Sequence, residues 1–312
     1  MKFIIKLSCL FIVLLSGNLF SQNRTNNVKD TVFIGYSTHV FQETNLEDAK
    51  AATSILIQKM IGEWRKNDYA TVKLYDQASA IEDDYSNKKL DLLALTSNEY
   101  LTLKKRLNLT PLVAYVFDGE SQDNILLIVN KSSNVESISD LRNKKILIYK
   151  PFRDNYSITE TWFKTLVLEA KEDYSKFFAD NISENYKVSQ CVYDLFFKKT
   201  DAIVVTKKLY NSLLLLNPQL EKQLKIIKKS GSILYSLLCY TERIKGHKDF
   251  TLDELVQKLC DMSKSSTGRQ FLNIFRVDGF IPFRNEYLKN TEDLYNEYNK
   301  LENSTKQISK KH

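Results

Sequence analysis

The sequence predicts an α/β protein of two lobes, each a mixed sheet flanked by helices, with two strands crossing between them. Three observations predict it. Strand-like and helix-like stretches alternate along the chain, the pattern of a largely parallel sheet covered on both faces. The alternation starts again after the polar turn Asp118 to Asp123. Runs such as Leu90 to Leu95 are apolar almost throughout, which marks strands buried on both faces.

In the first set, Thr31 to Tyr36 reads as a strand of β-branched and aromatic residues bounded by Gly35. A helix follows over Leu46 to Lys66, with Ile55, Ile57, Ile61 and Trp64 on its apolar side. Thr71 to Tyr75 is a strand, Ser79 to Lys89 a helix, Leu90 to Leu95 a strand and Ser97 to Leu107 a helix. Leu112 to Phe117 and Asn124 to Asn130 are further strands.

In the second set, Ser137 to Leu141 is a short helix and Lys145 to Tyr149 a strand. A helix from Ser157 to Lys171 follows the loop Lys150 to Tyr156. Val188 to Lys198 is a helix, Ala202 to Val205 a strand and Lys207 to Leu216 a helix that Pro218 closes. Lys225 to Lys229 and Ile233 to Tyr240 are strands, and Thr251 onward reads as helix with a break at Gly279 to Pro282. If Asn124 to Asn130 and Ile233 to Tyr240 both cross, residues 122–233 form a lobe inserted into one built from 31–121 and 234–302. Residues 303–312 are then a polar, basic tail. Two crossing strands make a hinge, and ligands of such sheets sit beyond the strand ends, in the cleft.

Lys2 and Lys6 flank the apolar run Leu7 to Leu15, and small and polar residues follow. This is the order of a secretory signal peptide, cut here after Ser21. The run is too short for a membrane span, which needs about 20 residues. Cys9 lies inside the run rather than after it, so lipidation is not expected, nor is an uncleaved anchor. Export leaves Cys191, Cys239 and Cys260, an odd number that defines no disulfide framework. Three small buried side chains are the simpler reading, with one pair as the alternative. Formal net charge is +7, spread along the chain, where nucleic-acid binding needs a concentrated basic face. No nucleic-acid partner is expected, and a monomer is.

No glycine-rich phosphate loop, HExxH or CxxC motif is present. No metal or cofactor is expected. Gly35-Tyr36-Ser37-Thr38-His39 lacks the second glycine and immediate helix of a nucleophile elbow. What recurs instead is hydroxyl and amide residues at strand ends. Tyr36 and Ser37 close the first strand, Gln77 follows the second, and Thr96, Ser97 and Asn98 follow the third. Arg153, Tyr156, Ser157 and Thr159 open the helix of the second lobe, and Thr206 follows its next strand. Free backbone N–H groups and the helix dipole favour an anion there. Any one such residue also serves as an ordinary helix cap.

The order of elements resembles the phosphate/phosphonate-binding (PhnD-like) solute-binding proteins of ABC importers. Leu90-Asp91-Leu92-Leu93-Ala94 is similar to the family's strand before a site loop. Asn124 to Lys131 followed by Ser137 to Ile146 is similar to its crossing strand and the segment after it. Lys198 to Ile203 and Phe280-Ile281-Pro282-Phe283 match two further stretches. The resemblance implies a periplasmic-binding-protein fold of the second type, a small-molecule anion as ligand and an ABC permease as partner. It implies exported capture and delivery with no bond chemistry. The family's anion loop falls on Arg153 to Thr159, which keeps Ser157 and Thr159 but lacks the close glycine. Its aromatic contact falls near Ala78, and its amine-reading acids fall near Ser189 and Gln190, which are not acidic. Two other readings use the same fold: an exported sensor or adaptor acting on a membrane partner, and an enzyme of the pyrimidine-precursor synthase kind. The enzyme calls for histidine or cysteine in the cleft, where only His39 and Cys191 are on offer.

Overall fold

Strand and helix alternate as the sequence predicts. The computed structural model describes residues 31–41, 46–64, 69–150, 157–178, 181–185, 187–247 and 251–309. The signal segment, Arg153 and Tyr156 lie outside the described residues.

The chain begins with β1 (Thr31–Ser37), a 3-10 turn at Thr38–Val40, α1 (Leu46–Trp64), β2 (Tyr69–Tyr75) and α2 (Ala78–Ser86). Next come β3 (Leu92–Thr96), α3 (Ser97–Leu103), β4 (Thr110–Val116) and the two-residue β5 (Gln122–Asp123). The middle of the chain supplies β6 (Ile125–Asn130), β7 (Ile146–Tyr149), α4 (Ile158–Glu169), α5 (Tyr174–Phe178) and β8 (Ile182–Asn185). It continues with α6 (Val188–Phe196), β9 (Ala202–Thr206), α7 (Lys207–Leu216), α8 (Gln219–Gln223) and β10 (Leu224–Lys229). The last part holds β11 (Ile233–Leu234), β12 (Ser236–Tyr240), α9 (Leu252–Cys260), α10 (Ser266–Phe275), β13 (Gly279–Pro282) and α11 (Asn285–Ser309).

Six strands form the first sheet in the order β13-β4-β12-β3-β1-β2, and five form the second in the order β10-β6-β9-β7-β8. β1 runs parallel to β2 and β3, while β12 runs antiparallel to β3 and β4. In the second sheet β7 is parallel to β8 and β9, and β6 is antiparallel to β9 and β10. β5 and β11 pair only with each other, Gln122 opposite Leu234 and Asp123 opposite Ile233.

Two segments cross between the sheets as predicted, but they do so at β5 and β11 rather than along the longer strands assigned to the crossing. β6 lies wholly in the second sheet, and the run Ile233 to Tyr240 divides at Tyr235 into β11 and β12. Tyr235 carries the β12–β3 ladder one bond further, its carbonyl accepting from Ser97 N (2.8 Å) in register with Thr96 opposite Ser236, and the residues before it pair with β5 instead. Continuous apolar sequence does not reveal where a strand changes partners. The predicted helical break at Gly279 to Pro282 is itself a strand, β13, at the sheet edge, where proline's missing donor costs nothing. The residues predicted as a polar tail continue α11 to Ser309. Short or polar elements, α5, β8 and α8, give too little periodicity to be read. The predicted Ser137 to Leu141 helix is a 3-10 turn over Ser139–Leu141.

β3, β6 and β9 are buried along their whole length, as apolar runs on central strands should be. One core cluster joins the inner faces of both sheets, through Leu93, Leu95, Ile125 and Leu127, to Leu288 and Tyr295 of α11. α11 packs on α4 beside the second sheet and on α3 and β11 beside the first. Cys191, Cys239 and Cys260 are free thiols. Burial pushes the Cys191 thiol up to about 12, so it is inert, while Cys260 is only half-buried.

Just before β3, Asp91 is fully buried. It accepts from Phe33 N (2.8 Å), contacts His247 Nε2 (3.1 Å) and pairs with the Arg243 guanidinium. One carboxylate thus ties β1, β3 and the segment after β12 together.

Candidate ligand site at the strand ends

On the first sheet, β1 ends at Ser37 and β3 at Thr96, which lies opposite Ser236 at the start of β12. Ser37 Oγ donates to Glu99 Oε1 (2.6 Å), and His39 Nδ1 lies 2.8 Å from the same oxygen. Thr96 N donates to Glu99 Oε2 (2.9 Å), which completes a capping box at the start of α3. The carboxylate stands between Ser37 and His39, so this is not the serine–histidine contact that activates a nucleophile. Burial pushes the Glu99 carboxyl up, but bonds from His39, Ser37 and Thr96 outweigh it and hold it below its ordinary value.

A carboxyl lowered in the folded state stabilises the fold above its unfolded value and loses that contribution as pH falls through the folded one. Glu99→Gln should therefore cost about 1–3 kcal/mol at neutral pH. The gap from the parent should close as pH drops below about 4.5. Urea unfolding of both chains from pH 7 to pH 3 measures it, and a gap independent of pH would contradict the assignment.

The other first-sheet residues diverge. Strand alternation sends Tyr36 to the opposite face, where its ring stacks on Phe275 (5.2 Å between centroids). Gln77 is exposed at the start of α2 and makes no cap bond. Ser97 Oγ donates to Leu234 O (2.5 Å) on β11, and Asn98 is half-buried.

On the second sheet, Thr159 Oγ1 donates to Tyr149 O (2.6 Å) at the end of β7 and lies 2.5 Å from Ser157 Oγ. Thr159 has given its proton to the carbonyl, so Ser157 is the donor of that pair. Ser157 holds the cap position of α4 without a side-chain cap bond. At the end of β9, Thr206 likewise makes no cap bond, and its buried Oγ1 has no partner among the described residues. The start of α7 is capped from outside: Asp123 of β5 accepts from Lys208 N at 3.3 and 3.2 Å and from Asn124 N at 2.7 Å. Burial raises the Asp123 carboxyl, and those N–H groups pull against it without winning. Lys208 Nζ then reaches back to the first sheet, donating to Phe117 O (2.5 Å) and Glu120 O (3.1 Å).

These groups surround a cavity of about 170 Å³ at the junction of the sheets. Thr206 and Tyr149 line it from the second sheet, Asp123 and Tyr235 from the crossing segments, Phe117 and Arg276 from the first. Among the described residues, Thr206 is the one sequence-predicted residue on this wall. Ser37, Thr96 and Ser97 form a polar cluster at the first sheet's end, and Ser157 with Thr159 a second one beyond β7. Sequence reasoning missed Asp123, Tyr149, Lys208 and Tyr235. Asp123 could have been found as the acid ending the polar turn between the two sets; Tyr235 sits inside an apolar run and gives no signal.

The family described as ABC transporter, phosphonate, periplasmic substrate-binding protein matches residues 63–288. No curated protein matches the chain by sequence. Among solved structures, a Xanthomonas citri protein bound to ATP superposes with a TM-score of 0.59 at 12% identity, covering 88% of this chain and 98% of the other. PhnD1 from Prochlorococcus marinus in complex with methylphosphonate gives 0.55 at 15%, covering 86% and 98%. A binding protein component of an ABC phosphonate transporter from Pseudomonas aeruginosa gives 0.54 at 14%, covering 88% of both. At these identities the superpositions speak for the fold, while the family match spans well over half the chain. With its two α/β sheets joined through a pair of short strands, the chain belongs to the periplasmic substrate-binding family of ABC phosphonate transporters.

Proposed function

We propose that the chain is exported by a signal segment cut after Ser21 and captures a phosphonate- or phosphate-like oxyanion for an ABC permease. Residues 31–121 with 234–302 form one lobe and 122–233 the other, and β5 with β11 is the hinge about which they close. The ligand is held without bond chemistry. The observation that carries this reading is the unpartnered hydroxyl of Thr206, buried at a strand end on the wall of the junction cavity. A buried hydroxyl without a partner is costly, and a ligand oxygen relieves the cost. The uncapped start of α4 beside Ser157 supplies further donors suited to an anion. Methylphosphonate bound to the Prochlorococcus marinus relative supports the ligand class.

One observation favours a second ligand type. The cavity wall carries Asp118, Glu120, Asp123 and Asp278 against Lys208 and Arg276. A zwitterion, with an amine toward these carboxylates, answers that balance better than a bare anion. The amine-reading acids missing near Ser189 and Gln190 are then replaced from the hinge.

Calorimetric titration of the chain from Gln22 with methylphosphonate, phosphate, an alkylsulfonate and an aminoalkylphosphonate tests both. The expected result is saturable binding that Thr206→Val weakens by roughly tenfold to a hundredfold, the loss of one hydrogen bond to a charged group. Binding confined to the amine-bearing compound selects the zwitterion. Absence of binding by all four removes the oxyanion reading and leaves the sensor or adaptor role.

A further inference from the structure

A larger cavity, about 300 Å³, lies on the outer face of the first sheet, away from the junction. It holds on the order of ten water-sized or methylene-sized groups. Val32, Ile34 and Leu92 of the sheet form its floor, and Ile57 of α1 with Leu255 and Leu259 of α9 form its walls. Most of the lining is apolar, and without an apolar occupant it forfeits the dispersion contacts that close packing provides.

Two features separate it from a packing fault. Tyr36 and Tyr115 line it while only 4% and 2% exposed, and neither has a side-chain hydrogen bond among the described residues. Buried tyrosine hydroxyls ordinarily find a partner, so these two are donors in search of an acceptor inside the chamber. The rim carries Lys258, its amine 5.4 Å from the Trp64 ring centroid. Glu254, one turn earlier on the same rim, acts on Lys258 across the turn, but its carboxylate is held by Thr251 N (2.8 Å) in the capping box of α9. Lys258 is therefore a cation at the mouth of a mainly apolar chamber, and the neighbouring carboxylate is engaged by the backbone rather than closed on it.

We propose that this cavity binds a medium-chain fatty acid, its carboxylate at Lys258 and its hydrocarbon over the sheet. An oxygen carried toward the far end of the chain meets Tyr36 and Tyr115. The site is separate from the junction cavity and does not depend on the ligand bound there.

The test is calorimetric titration of the delipidated chain from Gln22 with decanoate, ω-hydroxydecanoate and decylammonium. Saturable one-to-one binding of the two acids, tighter for the hydroxylated one, and none of the amine is expected. Lys258→Glu, at a half-buried rim position, should weaken decanoate roughly fivefold or more, the scale of one partly exposed ion pair. Leu255→Phe should abolish decanoate binding by filling the chamber. Circular dichroism and thermal unfolding of both variants check that they remain folded. Tyr115→Phe should remove the preference for the hydroxylated acid and leave decanoate unchanged. Failure of decanoate to bind overturns the proposal, as does binding that folded Lys258→Glu and Leu255→Phe leave intact or that decylammonium shares. Loss of methylphosphonate binding at the junction would leave all these outcomes untouched, so the two readings fail separately.

Discussion

Asp91→Ala is expected to destabilise the chain by about 3–5 kcal/mol, the cost of removing one partner from a buried charge pair. The carboxylate is fully buried, and its loss strands three groups at once. Arg243, whose guanidinium carbon lies 4.7 Å from the Phe33 ring centroid, keeps its charge without its counterion. His247, 5% exposed, loses the acceptor at Nε2, and Phe33 N–H loses its bond inside the sheet. Asp91→Asn keeps an acceptor for Phe33 N but not the charge, so it should fall between the parent and the alanine variant. Urea unfolding of the three chains orders them. Equal midpoints would mean that the cluster contributes no stability. Asp91 sits in a stretch that resembles a motif leading to the binding site, and its role there is to fix the strands from which that site is built.

Gly268→Ala is expected to cost about 3 kcal/mol or more, at or beyond the upper end of ordinary overpacking. A Cβ on Gly268 would lie 1.9 Å from the carbonyl oxygen of Met262 and 2.7 Å from its carbonyl carbon. The obstruction is backbone, which cannot rotate aside, so α10 must move off the 3-10 turn at Met262–Lys264 that it rests on. A fall in Tm of roughly 6–12 °C follows from 2–4 °C per kcal/mol for a chain of this class. Gly62 provides the contrast: it is exposed in α1, with nothing within 4 Å of the added carbon. Gly62→Ala should stabilise by about 0.5–1 kcal/mol through helix propensity alone. Differential scanning calorimetry of both variants separates the cases, and a Gly268→Ala chain melting with the parent would refute the contact.

The two-sheet architecture was legible because β3, β6 and β9 are apolar up to their last residue and recur between helices. Lys207 to Leu216 was read to the residue, since Thr206 and Pro218 bracket it. Legibility failed where tertiary contacts decide. Tyr235 looks like any residue of an apolar strand, yet it marks where pairing passes from β5 to β3. β13 is four residues long and becomes a strand only because β4 offers it an edge. For the candidate site, strand-end hydroxyls led to Thr206, which lines the junction cavity. They could not tell Ser37, which Glu99 engages, from a hydroxyl left open to ligand. Tyr36 precedes Ser37 by one residue and so lies on the other face of the sheet, against Phe275.

The interleaving of the sheets also orders events during synthesis and export. Every strand of the second sheet lies between Ile125 and Lys229, an unbroken stretch of chain. The first sheet needs β12 and β13 from the far side of that stretch, and β12 is a central strand, wedged between β3 and β4. A chain emerging from its N-terminus can therefore close the inserted unit first, while β3 and β4 wait with unsatisfied ladder edges for residues 236–282. The earlier half of the sequence is the later half to become structured, and for that interval its exposed apolar strands are where a chaperone would hold it.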